Sequence, residues 1–565
     1  MKRPWLSLPD RIGWRDHGIG AAMAAFYVTW LLAGARSLGF PRDEGVYFRA
    51  GSSYFRWYRL VWDHGREAFA RGPIDAAFGD NHEHPALMKT LFGASEYFLH
   101  DRWHVFDDAS TAYRLPGMAM AGLAVWVTYL FGARAFNRRA GAIAAALLSL
   151  MPRVFFNSHL ACFDVPIAAM WILCLYTYWR SAEERSIGWF IAAGVTYGLM
   201  LETKHNAWLF PAVVVPHALF VWGRALAKAR AALWRKIPWG LLSMAVLGPG
   251  VFLLLWPYLW FDTEARVRWY AAFHLNHEYY NIEFLGRNYF GPPSPPLYLP
   301  VMILATVPSI TMLLFFVGTT DRLRHAYGRV AAWVRDALHR TGAAAPESDP
   351  RETDLLLFLG FCVAVGPFIL PRTPIFGATK HWLTAYPVLA IVAGRGFDLV
   401  ATSMDRAIQT LRSGVRRAAR VGLVACVLAA PAAVTAHSHP FGLSAYVPFV
   451  GGTQGGADLG LNRQFWGFTT QTAAKRFLND QTPPRSTVFI LDTTWDAWNR
   501  MQEEHRVRAD LRVVGAPGDA MYSLVQHELH MSEVDYDIWI ADGSDAPAYV
   551  MTHDDVPIVS IYRRQ

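Results

Sequence analysis

Residues 18 to 44 read GIGAAMAAFYVTWLLAGARSLGFPRDE, an apolar run that ends in Pro41, Arg42 and an acid pair, Asp43-Glu44. A run of about twenty apolar residues crosses the roughly 30 Å hydrocarbon core of a bilayer, so the acid pair stands where a helix leaves the lipid. Lys2, Arg3, Arg11 and Arg15 precede the run and no small-residue cleavage site follows it. That pattern is a retained first span and not a signal peptide. Further on, Glu83-His84-Pro85-Ala86-Leu87-Met88-Lys89 adds acidic and basic groups to the same polar loop.

Working outward, apolar runs bounded by charge, Pro and Gly predict spans at 18–38, 113–135, 140–156, 162–179, 187–202, 205–223, 238–258, 298–318, 353–371, 379–396 and 418–437. A chain of 565 residues with 53% hydrophobic and 17% charged side chains is a polytopic membrane protein and not an ordinary soluble enzyme. Its net charge of +8 sits in short loops, at 134–139, 180–185, 224–236, 321–351 and 395–420. By the positive-inside rule these loops are cytoplasmic, so the basicity marks orientation and not a nucleic-acid partner. The loops 39–112, 259–297 and 372–378, and everything after about residue 438, then share the outer face. Cys162, Cys174, Cys362 and Cys426 all fall in apolar segments, which argues against disulfides and a thiolate metal site.

The first outer loop interleaves Tyr47, Phe48, Tyr54, Phe55, Trp57, Tyr58 and Trp62 with Arg49, Arg56 and Arg59, a composition suited to a helix in the membrane interface, and 85–100 reads as a second. The tail predicts short strands at 486–491, 511–514, 537–541 and 557–562, with a helix-like stretch at 520–531. The expected fold is therefore a polytopic α-helical membrane protein of about eleven transmembrane helices with a small C-terminal α/β soluble domain. Its boundaries are 1–437 for the membrane domain, including the loop 39–112, and 438–565 for the outer-face domain, entered through the Gly-rich 451–460. No internal repeat is present.

An acid pair at a span end is often only a solvated cap. Here the same loop supplies Glu83, His84 and Lys89, a set suited to moving a sugar from a lipid phosphate to an acceptor hydroxyl. That reaction needs one base for the hydroxyl proton. Phosphate is already a good leaving group, so the second carboxyl required for glycoside hydrolysis is dispensable. The departing phosphate needs Lys, Arg or a divalent metal ion.

In these residues the chain resembles the GT-C superfamily of polyprenyl-phosphate-sugar-dependent glycosyltransferases, specifically the protein O-mannosyltransferase branch, glycosyltransferase family 39. The likeness lies in Asp43-Glu44, in His84-Pro85-Ala86-Leu87-Met88-Lys89, similar to His-Pro-Pro-Leu-x-Lys, and in Tyr113-Arg114-Leu115-Pro116. It continues in Phe163-Asp164-Val165-Pro166, Glu202-Thr203-Lys204, Pro296 to Pro300, and Thr379-Lys380-His381-Trp382 with Tyr386-Pro387. The resemblance covers roughly 18 to 400. It implies Asp43 as general base and Glu44 as a catalytic partner that positions it or the acceptor. Glu83-His84-Pro85 is also similar to the Glu-Lys-Pro of bacterial aminoarabinose transferases that modify lipid A. His84 departs from that pattern and Ala86 from the mannosyltransferase one, which leaves the subfamily and acceptor open.

Ionisable residues in or beside spans require a partner or a role. Arg114, Asp164, Lys204, Lys380 and His381 fall near outer span ends, and together with Glu83, His84 and Lys89 they are the expected substrate-binding set. His274, His277 and Glu278 form a His-x-x-His-Glu in the 259–297 loop that offers metal-ligand spacing, while Tyr279, Tyr280 and Tyr289 beside it favour sugar or lipid contact. No Gly-rich nucleotide loop and no Ser-His-Asp order in a recognisable context occurs.

The sequence thus predicts an integral, inverting membrane glycosyltransferase of the cell or inner membrane, working on the outer, periplasmic-type face. Its partners are a polyprenyl-phosphate-sugar donor, a protein, lipid or glycan acceptor, and membrane lipid. The rival class is a transporter with broken helices around a midplane site. Against it, the polar residues crowd one face and no half repeats the other.

Overall fold

The computed structural model describes residues 12–228, 237–339, 352–375 and 377–565. Lys2, Arg3, Arg11 and the parts 229–236 and 340–351 of the predicted cytoplasmic loops lie outside these residues.

The first apolar run is helix α1 (Trp14–Gly34), followed by three loop helices, α2 (Arg42–His64), α3 (Arg71–Phe78) and α4 (Ala86–Glu96). Then come α5 (Ala109–Ala135), α6 (Arg138–Ser149), α7 (Pro152–Ser158), α8 (Asp164–Glu184), α9 (Ile187–Leu201), α10 (Pro211–Lys228), α11 (Trp239–Leu255) and α12 (Thr263–Leu275). A hairpin of β1 (Ile282–Phe284) and β2 (Arg287–Tyr289) precedes α13 (Tyr298–Thr306), α14 (Ser309–His339), α15 (Thr353–Val365), α16 (Tyr386–Ala407) and α17 (Ser413–Ser438).

Among the described residues, four helices qualify as membrane-crossing by length and composition: Trp14–Ser37, Ala109–Ala135, Ala378–Ala407 and Ser413–Ser438. The count rises to six if two bent pairs are each one span. The apolar segments predicted from sequence coincide with helices, but two of them are not straight. The 140–156 segment breaks into α6 and α7 at 69°, and the 298–318 segment into α13 and α14 at 118°. Pro152 and Pro308 sit at the breaks, where proline pushes the residue before it out of the helical region. Within the bundle, α5 packs on α1, α6 and α8, α9 on α8 and α11, and α16 on α6 and α14. The last contact is close because Gly318 and Gly396 face one another's helices. A Cβ on either would lie about 2 Å from a carbonyl oxygen opposite, at Val392 or Leu314.

The α2 helix buries one stripe, Glu44, Tyr47, Phe48, Gly51, Tyr54 and Trp57, against α4 and the tail, leaving Trp62 exposed. One face of this aromatic loop is thus packed on protein, while Tyr58 and Trp62 stay exposed on the other.

In the tail, α18 (Gly452–Asp458) replaces the expected Gly-rich linker, and Tyr446 packs against Gly456. Beyond it, β3 (Thr487–Ile490), α19 (Trp495–Glu503), β4 (Arg512–Val514), β5 (Tyr522–Gln526), α20 (Ser532–Asp542), β6 (Tyr549–His553) and β7 (Val556–Arg563) build a five-stranded mixed sheet in the order β4-β3-β5-β7-β6. Two sequence expectations are reversed here. The 520–531 stretch supplies buried central strand β5, and 537–541 lies in α20, whose Ile538 packs on the sheet beside Val525 and Tyr562. Short apolar runs carry no period that separates a strand from a half-buried helix. One hydrophobic core runs across the expected domain boundary: Phe40, Phe48, Met88 and Tyr113 pack with Trp466, Phe477, Trp498, Leu524 and Ile561.

Candidate active site

Asp43 lies in the first turn of α2, behind Pro41, with its side chain 30% exposed. Its Oδ2 is 3.7 Å from Lys380 Nζ and its Oδ1 is 3.7 Å from Arg42 Nε. Lys380 enters from the short helix Ala378–Ala385 that leads into α16, and its ammonium sits 4.1 Å above the Trp466 ring. The tail grips the same turn. Arg42 Nη1 donates to Asp492 at 2.8 Å, its backbone N–H donates to the Trp466 carbonyl at 2.8 Å, and Thr494 Oγ1 donates to the Arg42 carbonyl at 3.1 Å. Gly45 makes room for this contact, since a Cβ there would lie 2.6 Å from the Ala497 nitrogen.

Beside this group, Asp164 opens α8 and accepts from Lys204 Nζ at 2.6 Å. Both charges act on Lys380, so Asp43, Lys380, Asp164 and Lys204 form one alternating cluster of two carboxylates and two ammoniums. Three imidazoles flank it. His205 stacks on His274 with ring centroids 3.9 Å apart, His84 lies 5.8 Å from His274, and His84 also packs on Tyr47 and Phe163. Burial, reinforced by Lys89, holds His84 well below the ordinary imidazole range, and burial takes His274 down to about 4. Both are therefore neutral at physiological pH. Glu83 borders them: its carboxylate accepts from Asn81 and its carbonyl meets His274 Nε2 at 2.7 Å.

Three expected site residues serve the chain itself. Glu44 and Arg114 are both 0% exposed and paired through two bonds of 2.7 and 2.6 Å. Arg114 spends its remaining N–H groups on the carbonyls of Ala35, Leu38 and Gly39, and Glu44 also accepts from the Ala161 N–H at 2.9 Å. The pair ties the end of α1 to α5 and fixes the start of α2, the turn that carries Asp43. Lys89 is also buried, donating to the Tyr54 hydroxyl at 2.6 Å, to the His84 carbonyl at 2.8 Å and to the Asn81 carbonyl. It braces the 81–89 loop. Burial lowers its pKa to about 7. His381 packs on Phe368, with ring centroids 5.4 Å apart.

His274 and His277 do not form a metal cluster with Glu278. His274 belongs to the imidazole group, and His277 Nδ1 contacts the Glu278 carbonyl at 2.9 Å. On the tail side of Arg42, however, Glu283, Glu528 and His530 bring ligand atoms within 4.8 Å of one another, and these are the groups near Asp43 that would hold a divalent cation. Burial and the facing Asp492 carboxylate push Glu528 well above the usual carboxyl range, and Gln464 Nε2 donates to it at 2.8 Å. Sequence reasoning missed Trp466, Asp492, Glu528, His205 and His530. The tail residues stand 423 or more positions from Asp43, and no local spacing links them to it.

A family model for dolichyl-phosphate-mannose-protein mannosyltransferases matches residues 94–256. Among solved structures, the chain is similar to the archaeal oligosaccharyltransferase AglB from Archaeoglobus fulgidus in complex with an inhibitory peptide and a dolichol-phosphate. There the identity is 13% over 93% of this chain and 72% of that one, with a TM-score of 0.51, a likeness of fold. The crystal structure of ArnT from Cupriavidus metallidurans bound to undecaprenyl phosphate aligns at 16% identity over 97% of this chain and 98% of that one, with a TM-score of 0.44. No curated protein matches the chain.

Proposed function

We propose, from the premise that this chain belongs to the GT-C superfamily of glycosyltransferases, that it moves a sugar from a polyprenyl-phosphate carrier to an acceptor hydroxyl on the outer face, with inversion and with Asp43 as general base. The observation that carries this reading is the approach of Lys380 to Asp43, 3.7 Å, next to the Asp164–Lys204 pair. Asp43, 30% exposed, offers a carboxylate that an acceptor's proton can reach. The ammoniums, each held to a carboxylate in the free protein, are the groups that turn to an incoming phosphate.

In the reaction, the acceptor oxygen attacks the anomeric carbon from the side opposite the phosphate while its proton passes to an Asp43 oxygen. The bond from the anomeric carbon to the phosphate oxygen breaks and its electron pair stays on the phosphate. Lys380 and Lys204 stabilise the charge that grows there, which is worth more in a site shielded from bulk water. Glu44, locked by Arg114, keeps the first turn of α2 in place. A cavity of about 640 Å³ between α11 and α12, apolar at Pro249, Phe252, Leu253, Val267 and Ala271 and polar at Thr263, Glu264 and Arg268, gives the carrier a groove to follow. The same α12 carries His274 to the site. We read the eleven apolar segments, bent pairs included, as the membrane domain, and mannosyl as the sugar class that the family model suggests.

The test is transfer from synthetic polyprenyl-phosphate mannose by the purified protein in detergent, with the anomeric configuration of the product read by NMR. β-Linked donor giving α-linked product supports the reading. Retention of configuration, or no transfer from any polyprenyl-phosphate sugar in a panel of hexoses and amino sugars, overturns it.

A further inference from the structure

A second group of ligating side chains lies where the last apolar helix meets the tail sheet, apart from Asp43 and its partners. His437 stands in the final turn of α17, His553 ends β6, and Asp554 opens the two-residue turn to β7. Asp554 Oδ1 lies 2.7 Å from His437 Nε2 and its Oδ2 lies 3.8 Å from His553 Nε2, and one ligand atom from each residue falls within 4.8 Å of the other two. His553 is only 7% exposed, wedged between Phe441 and the His437 ring, and its Nε2 has no hydrogen-bond partner. Buried polar atoms are rarely left so. Thr453 Oγ1 donates to Asp554 Oδ2 at 2.9 Å, which fixes the carboxylate in the way outer hydrogen bonds orient metal ligands.

We propose that His437, His553 and Asp554 bind a zinc ion, with water in the fourth position, and that the ion fastens the tail sheet to the end of α17. Two imidazoles and one carboxylate suit zinc and its first-row neighbours, whereas magnesium and calcium favour oxygen donors throughout. Tetrahedral zinc with bonds of about 2.0–2.2 Å sets ligand atoms roughly 3.4 Å apart. The present spacings bracket that value, and His437, 67% exposed, has room to adjust. A simple His437–Asp554 ion pair would leave the His553 nitrogen unsatisfied, while the ion gives all three groups a partner. The ion also closes a loop between residues far apart in sequence, so it stabilises the docking of the tail.

The experiment uses the full-length protein in detergent, stripped with EDTA, equilibrated with zinc chloride alone and desalted. Bound zinc per chain is measured by inductively coupled plasma mass spectrometry and the melting temperature is recorded. At least one retained equivalent that requires His437 and Asp554, with a raised melting temperature, is expected, insensitive to excess magnesium. His437→Ala and Asp554→Asn should each weaken that binding at least about tenfold, as loss of an outer-shell partner already does, whereas His530→Ala, in the other cluster, should keep it. His437 is exposed, so its removal leaves the fold intact even if replacing His553 does not. No zinc retained by the unaltered protein, or zinc retained equally by His437→Ala and Asp554→Asn, would overturn the proposal.

Discussion

Lys89 and Lys380 each belong to a short motif that also holds a His, and the structure gives them different surroundings. Lys380 faces Asp43, and its replacement by Met should lower turnover while leaving the melting temperature nearly unchanged. Lys89 points into its own loop, so Lys89→Met should destabilise the fold by about 1–3 kcal/mol for each buried acceptor left without a donor. Thermal melts and steady-state kinetics on both variants separate these roles. Equal melting temperatures with a loss of turnover for Lys89→Met would return it to the phosphate path. His274 gives a pH signature. Burial lowers its pKa from 6.5 to about 4, so between those values the unfolded chain binds the proton and the folded chain does not. Stability is therefore full above about 6.5 and falls as the pH drops toward 4. His274→Phe should flatten the slope of melting temperature against pH in that window. A slope equal to that of the unaltered protein would show that His274 is not buried as described.

At the scale of elements, the start of α2 is the part on which the site depends. It is fixed from inside by Glu44 and Arg114 and from outside by the tail. Glu44→Gln leaves a fully buried guanidinium without its counter-charge and should cost about 3–5 kcal/mol. Gly45→Ala pushes a methyl group against the backbone of α19, where neither side is a flexible side-chain tip, and should cost about 1–3 kcal/mol of tail docking. Limited proteolysis of the tail reads that docking directly, and an unchanged cleavage rate in Gly45→Ala would contradict the contact. These elements also show what the sequence made legible. The start of α8 near Asp164 and the placing of Asp164, Lys204 and Lys380 at outer span ends follow from the apolar runs and their charges, whereas the Asp164–Lys204 pairing itself is seen only in the structure. The burial of Arg114 was not readable, because a cation near a predicted span end has an adequate alternative in reaching back to water.

Over the whole molecule, the tail is the largest difference between sequence and structure. Its Gly-rich entry and strand pattern suggest a separate cap whose removal spares donor binding, yet Trp466 lies over Lys380 and Asp492 holds Arg42. Truncation after residue 440 should therefore abolish donor binding as well as transfer, checked by isothermal titration of the polyprenyl-phosphate donor. Full donor binding by an inserted, truncated chain would restore the independent cap. The order of motifs through residue 400 was enough to suggest the GT-C fold because each motif is local. Contacts between residues hundreds of positions apart leave no local spacing to read. The account rests on Asp43 taking the acceptor's proton, and single-turnover transfer by Asp43→Asn tests this most directly, with donor binding measured on the same preparation. The account predicts normal donor binding and a rate reduced roughly 10²- to 10⁴-fold. A variant that keeps more than about a tenth of the rate would contradict it, since loss of a general base costs far more.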